Sequence, residues 1–80
     1  MAEVIKCELY DYFELACMRR STISLELHDG QTIAGVASNL ETKDGKEFLL
    51  LTTGDRKRQV DLMQIDVLVF SNSGERVSIS

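Results

Sequence analysis

The sequence predicts a mainly β fold: a small antiparallel β-barrel, or strongly bent sheet, with one N-terminal α-helix packed on it. Three observations carry this. Residues 8–19 follow a helical period, and the remainder breaks into five or six short strands at barrel-like spacing. No strand-helix-strand alternation is present, which excludes a parallel α/β sheet. The chain has 80 residues, the length of one domain, here expected to span 1–80.

The helix comes first. Successive helical residues turn by about 100°. On that wheel Leu9, Tyr12, Phe13, Ala16 and Cys17 gather on one side, expected to face the core. Tyr10, Asp11, Glu14 and Met18 fall on the other, with Glu8 and Leu15 at its edge. Acids stand early in the segment, and Arg19 and Arg20 come last, as the helix dipole favours.

The strands follow. In "TISLELH", Ile23, Leu25 and Leu27 alternate with Ser24, Glu26 and His28. Asp29 and Gly30 then mark a hairpin, with positive φ expected at both. The return strand is expected over 31–38, with Gly35 marking a bend or bulge. "ETKDGKE" reads as a polar turn, and "EFLLLTT" as a strand covered on both faces. "GDRKR" reads as a second turn. "RQVDLMQIDVLVF" holds one or two strands broken near 63–66, and "RVSIS" suits an edge strand.

Composition bounds the function. At 44% hydrophobic and 28% charged, the chain is too apolar to be disordered. Its longest apolar runs, "FLLL" and "VLVF", fall far short of the ~20 residues of a membrane helix. "MAEVIKCELY" lacks the pattern of a secretory signal, so the expected compartment is the cytoplasm, with no membrane association. There Cys7 and Cys17 are expected to be reduced. The net charge of −4 argues against general nucleic-acid binding. The charge is uneven. Glu3, Glu8, Asp11 and Glu14 face only Lys6 at the front, while Lys43, Lys46, Arg56, Lys57 and Arg58, set against Asp44, Glu47 and Asp55, make the middle mildly basic.

No enzyme signature is present. His28 is the only histidine and reads as a solvated turn residue. The glycines lack phosphate-loop spacing, and two cysteines with one histidine are too few for a zinc site of those ligands. Phe48 and Phe70 read as core residues, leaving no aromatic ladder for stacking bases. Arg56, Lys57 and Arg58 could form either a solvated turn or an RNA contact. The acidic helix face is either a solvated surface or a contact patch. Tyr10, Leu15 and Met18 beside its charges favour a patch suited to a basic partner, with Tyr10 as anchor.

The segments "CELYDYFELAC" and "LELHDGQTIAGVASNL" resemble the Rho-binding antiterminator family (Rof/YaeO). The match runs through Cys7, Tyr10, Asp11, Glu14, Leu15, Ala16 and Cys17. It continues through Leu25, Glu26, Leu27, Asp29, Gly30, Ala37 and Ser38, then more loosely to Phe70. The resemblance implies a Sm-like β-barrel with an N-terminal helix, no catalytic activity and no cofactor. It implies a partner, the hexameric transcription terminator Rho, bound over its N-terminal primary RNA-binding region so that RNA loading is hindered. By the same resemblance Tyr10, Asp11 and Glu14 are expected to touch Rho, and Lys43 and Asp44 to add a loop contact. The free chain is expected to be a monomer that does not itself bind nucleic acid. The competing reading is a Sm-like RNA-binding module that uses Arg56, Lys57 and Arg58.

Overall fold

The computed structural model describes residues 7–79, with side chains from residue 9 onward. Glu3 and Lys6, and the side chains of Cys7 and Glu8, lie outside the described residues. The order is α1 (Cys7–Arg19), β1 (Thr22–Leu27), β2 (Thr32–Lys43), β3 (Lys46–Thr53) and β4 (Arg56–Asp61). A 3₁₀ turn, η1 (Leu62–Gln64), leads into β5 (Ile65–Phe70) and β6 (Arg76–Ser78).

The strands form one antiparallel sheet in the order β4-β3-β2-β1-β5-β6. Its curl follows from connectivity. Strands β4 and β5 stand four places apart in the sheet, about 19 Å if it were flat. Only η1 joins them. The four Cα steps from Asp61 to Ile65 reach about 8 Å as a 3₁₀ turn and at most about 14 Å fully extended. The sheet therefore bends until β4 and β5 approach. The expected barrel is not closed, however: among the described residues the edge strands β4 and β6 share no ladder.

Register places one apolar set inside the curl. Leu25 pairs with Ile33 and Leu68, Leu49 with Val60, and Leu51 with Ala37. All of these are buried, together with Ile23, Leu62, Ile65 and, from the helix, Phe13 and Ala16. The other face of β3 is only half-covered. Phe48 and Leu50 are half-buried there while Leu49 and Leu51 are buried. Phe48 is thus not the core residue expected, because strand alternation turns it away from Leu49. Phe70 is half-buried and packs against the core.

Two Asp-Gly turns behave differently. At the β1–β2 tip only Gly30 has positive φ, at 88°. The loop is three residues long, closed by Leu27 N–H donating to the Gln31 carbonyl and Gly30 N–H donating to the Leu27 carbonyl. At the β2–β3 tip Asp44 and Gly45 have φ of 52° and 77°, the two-residue hairpin form. The polar "ETK" therefore belongs to the twelve-residue β2, not to a turn. Likewise Arg56, Lys57 and Arg58 lie on β4, and the turn before them is Gly54 and Asp55.

The bulge expected at Gly35 falls instead between Ala37 and Asn39. There Ser38 leaves the ladder and its hydroxyl donates to the Leu50 carbonyl at 3.3 Å. Gly35 serves a close approach: a Cβ there would lie 2.7 Å from Thr53 Oγ1 and 2.9 Å from the Thr52 carbonyl oxygen. His28 is not a free turn residue. Its N–H donates to the Gln64 carbonyl at 3.0 Å, its Nε2 lies 2.8 Å from the Met63 carbonyl oxygen, and its Nδ1 contacts the Asp66 carboxylate. The β1–β2 tip is thereby fastened to η1, whose start is capped by Asp61 Oδ1 accepting from Met63 N–H at 2.9 Å.

The helix ends at Arg20, where φ is 49°. Ser21 N–H donates to the Ala16 carbonyl at 2.9 Å and Arg20 N–H to the Cys17 carbonyl at 3.2 Å. This is the paired C-terminal cap in which glycine is the usual left-handed residue.

Two stability outcomes follow, both read by denaturant unfolding. Gly35→Ala destabilises by about 1–3 kcal/mol through overpacking against Thr52 and Thr53. Arg20→Gly stabilises by about 0.5–1 kcal/mol, since relief of left-handed strain exceeds the added chain entropy.

Candidate partner-binding surface

Helix α1 lies across the open side of the curl. It packs against β2, and on its other flank Tyr12 and Leu15 border grooves shared with Phe70 and Val77. Phe13 and Ala16 are fully buried, with Leu9, Tyr10, Tyr12 and Cys17 half-buried against the same core. Tyr10 is therefore not turned wholly outward as expected, but half-buried against the core. It lies about 60° from Phe13 around the helix, inside an apolar arc that is wider than the stripe the sequence suggests.

The outward residues are Asp11, Glu14, Met18 and Arg19, all exposed. Met18 is 83% exposed, the large apolar residue most open to solvent among those described. Asp11 and Glu14 occupy different shoulders of the helix. Asp11 borders an open groove of about 510 Å³ between α1 and β6, together with Glu75 and Arg76. Glu14 stands on the β2–β3 side. There the Tyr10 phenol is held above its usual 10.0 by burial first, then by the charges of Glu47 and Glu14, with a smaller contribution from Cys17.

That coupling joins the helix to the β2–β3 hairpin. Glu47 pairs with Thr42, and Lys43 with Lys46, one step from the exposed Asp44. Tyr10, Glu14 and Glu47 thus gather beside the turn that carries Lys43 and Asp44, while Asp11 faces the β6 groove. Sequence reasoning counts Glu47 only in the charge balance of the middle and does not single out Glu75. The place of Glu47 in the hairpin was findable, because a two-residue turn at Asp44 and Gly45 fixes the register that sets it opposite Thr42. Glu75 sits in a loop with no such signal.

The remaining candidates separate from this surface. Cys7 and Cys17 are ten helical residues apart, about 15 Å along the axis, too far for an intramolecular disulfide. Burial pushes the Cys17 thiol up, away from the reactive thiolate. Among the described residues no three His, Cys, Asp or Glu side chains converge as a metal site. No helix among them is long and apolar enough to cross a membrane. Arg58, Lys57 and Arg56 pair with Leu51, Thr52 and Thr53 at the other end of β3, about 13–20 Å from Glu47 along the strand.

The Tyr10 coupling predicts a titration result. Glu47→Gln lowers the Tyr10 pKa toward its usual value, and Glu14→Gln does so by less, as read from the phenol carbon by NMR. An unchanged value in Glu47→Gln would mean that the hairpin does not reach the helix. Because folding raises this pKa, the Tyr10 contribution to stability is complete below the unfolded value. It is lost as pH rises through the folded value.

Comparison with known proteins agrees with this architecture. The sequence pattern of the family described as "Modulator of Rho-dependent transcription termination (ROF)" matches residues 4–78. Protein rof of Escherichia coli (strain K12) is 34% identical over 61 residues, covering 76% of this chain and 73% of that protein. Protein rof of Shigella flexneri matches to the same extent. The solved structure of YaeO bound to magnesium from Vibrio cholerae O395 superposes with a TM-score of 0.79 at 20% identity. That alignment takes in 89% of this chain and 97% of the other, and shows a shared fold. With α1 and all six strands inside the matched span, the chain belongs to the ROF family of modulators of Rho-dependent transcription termination.

Proposed function

We propose that the chain is a non-enzymatic inhibitor of Rho-dependent termination, acting in the cytoplasm as a monomer. It binds the N-terminal primary RNA-binding region of hexameric Rho through the outer face of α1 and hinders RNA loading. One observation carries the reading. Asp11 and Glu14 are exposed on a helix whose opposite side is locked into the core by Phe13 and Ala16. Neither carboxylate has an ion-pair partner among the described residues.

A site that takes RNA must present cations to phosphates. A rigid helix bearing unpaired carboxylates complements such a surface and is steered toward it. Met18 and Leu15, beside the acids, supply apolar contact. Tyr10 offers only its exposed edge and otherwise fixes the helix against the hairpin. Lys43 and Asp44, next to Glu47, form a second contact from the β2–β3 turn.

The test is charge reversal. Asp11→Lys and Glu14→Lys each weaken Rho binding at least ~10-fold, about 1.4 kcal/mol, measured by calorimetry at moderate salt. Both leave the thermal midpoint near that of the wild type, since exposed substitutions shift stability by only about 0.5 kcal/mol. Wild-type affinity in both variants would contradict the helix-face reading.

A further inference from the structure

The edge strand β4 carries a second charged surface that the acidic helix does not use. Arg56, Lys57 and Arg58 are all exposed and line an open groove of about 470 Å³ with Thr32, Ala34 and Thr53. No carboxylate lines it. Among the described residues none of the three cations has an ion-pair partner, and Asp55, in the adjoining turn, pairs with none of them. Gly35 draws the end of β3 against β2, which brings Thr53 beside Ala34, whose carbonyl accepts from the Thr53 hydroxyl at 2.9 Å.

Guarding an exposed strand edge calls for charge, but not for three consecutive charges of one sign bordering a recess. Their spacing is informative. Arg56 pairs with Thr53 and Arg58 with Leu51, so both share one face of β4, while Lys57, opposite Thr52, takes the other. The Cα atoms of these two arginines stand about 6.7 Å apart along the strand, a spacing suited to an anion that repeats along a chain. Arginine offers a planar fork to each phosphate. The groove has no aromatic side chain on which a base could stack. Its widest exposed apolar group is the methyl of Ala34, and buried Ile33 leaves no socket for a peptide's anchoring side chain.

We propose that this groove is a phosphate-backbone site that grips a single nucleic-acid strand without reading its bases. The site stands about 13–20 Å along β3 from Glu47 and operates whether or not α1 binds Rho. The overall charge of −4 keeps the grip weak and dependent on salt.

The test is fluorescence anisotropy of the whole chain with fluorescein-labelled 15-nucleotide oligouridylate and oligoadenylate. Both bind alike. With about three phosphates neutralised, the log-log salt slope is about −2, so affinity falls about 15-fold between 50 and 200 mM salt. The triple variant Arg56→Gln, Lys57→Gln, Arg58→Gln loses at least ~10-fold in affinity, as the same salt term requires. A control variant, Lys46→Gln, retains the wild-type value. Circular dichroism confirms that both variants are folded. Three results would overturn the proposal: no binding at 50 mM salt, equal loss in the control variant, or displacement of the strand by polyglutamate at equal charge concentration. The last would make the groove a site for acidic peptides. Inorganic phosphate at that concentration displaces nothing if the repeating backbone is what the row recognises, and displacement by it would also overturn the proposal.

Discussion

The short link between β4 and β5 is the constraint on which the rest of this structure depends. Three residues, Leu62 to Gln64, cannot reach from one edge of a flat sheet to its fifth strand. The sheet must curl, and the curl gathers alternate residues of every strand into one core. Leu62, which opens the link, and Ile65, which follows it, are themselves buried there. His28 fastens the β1–β2 tip to the same link through the carbonyls of Met63 and Gln64 and the Asp66 carboxylate. An open side remains, and α1 covers it with Phe13 and Ala16. The helix is thus held by its inner side, and its outer side is free to carry charge without cost to the fold.

Charge on this small molecule is divided by distance rather than by burial. Among the described residues no polar or charged side chain is fully buried. At physiological ionic strength the screening length is about 8 Å, while Glu47 and the β4 cations stand about 13–20 Å apart along β3. Acidic and basic ends therefore do little to neutralise one another. A net charge of −4 conceals two surfaces of opposite sign.

Much of this was legible in the sequence. The helical period, the alternation in β1, the Asp-Gly turns and the break before β5 are local signals, and each became an element close to its expected place. What escaped was set by tertiary register. Tyr10 reads as outward on an isolated wheel, but the concave sheet wraps the helix and draws it into the seam. Arg56 to Arg58 read as a turn because charge clusters in turns, yet β3 extends its ladder to them and makes them an edge strand. Phe48 reads as core because it is aromatic in an apolar run, but the pleat that buries Leu49 excludes it. Glu47 gains its place only when the hairpin and the helix meet. The candidate surface was therefore half-legible: Asp11 and Glu14 from the helix period, their neighbours only from the fold.

The central claim is that the outer face of α1 is where Rho is engaged. Amide hydrogen exchange of the whole chain, with and without intact Rho, tests it most directly. The account predicts added protection in α1 and the β2–β3 turn, with β4 unchanged. Protection confined to β4, with α1 exchanging as in the free chain, would contradict it.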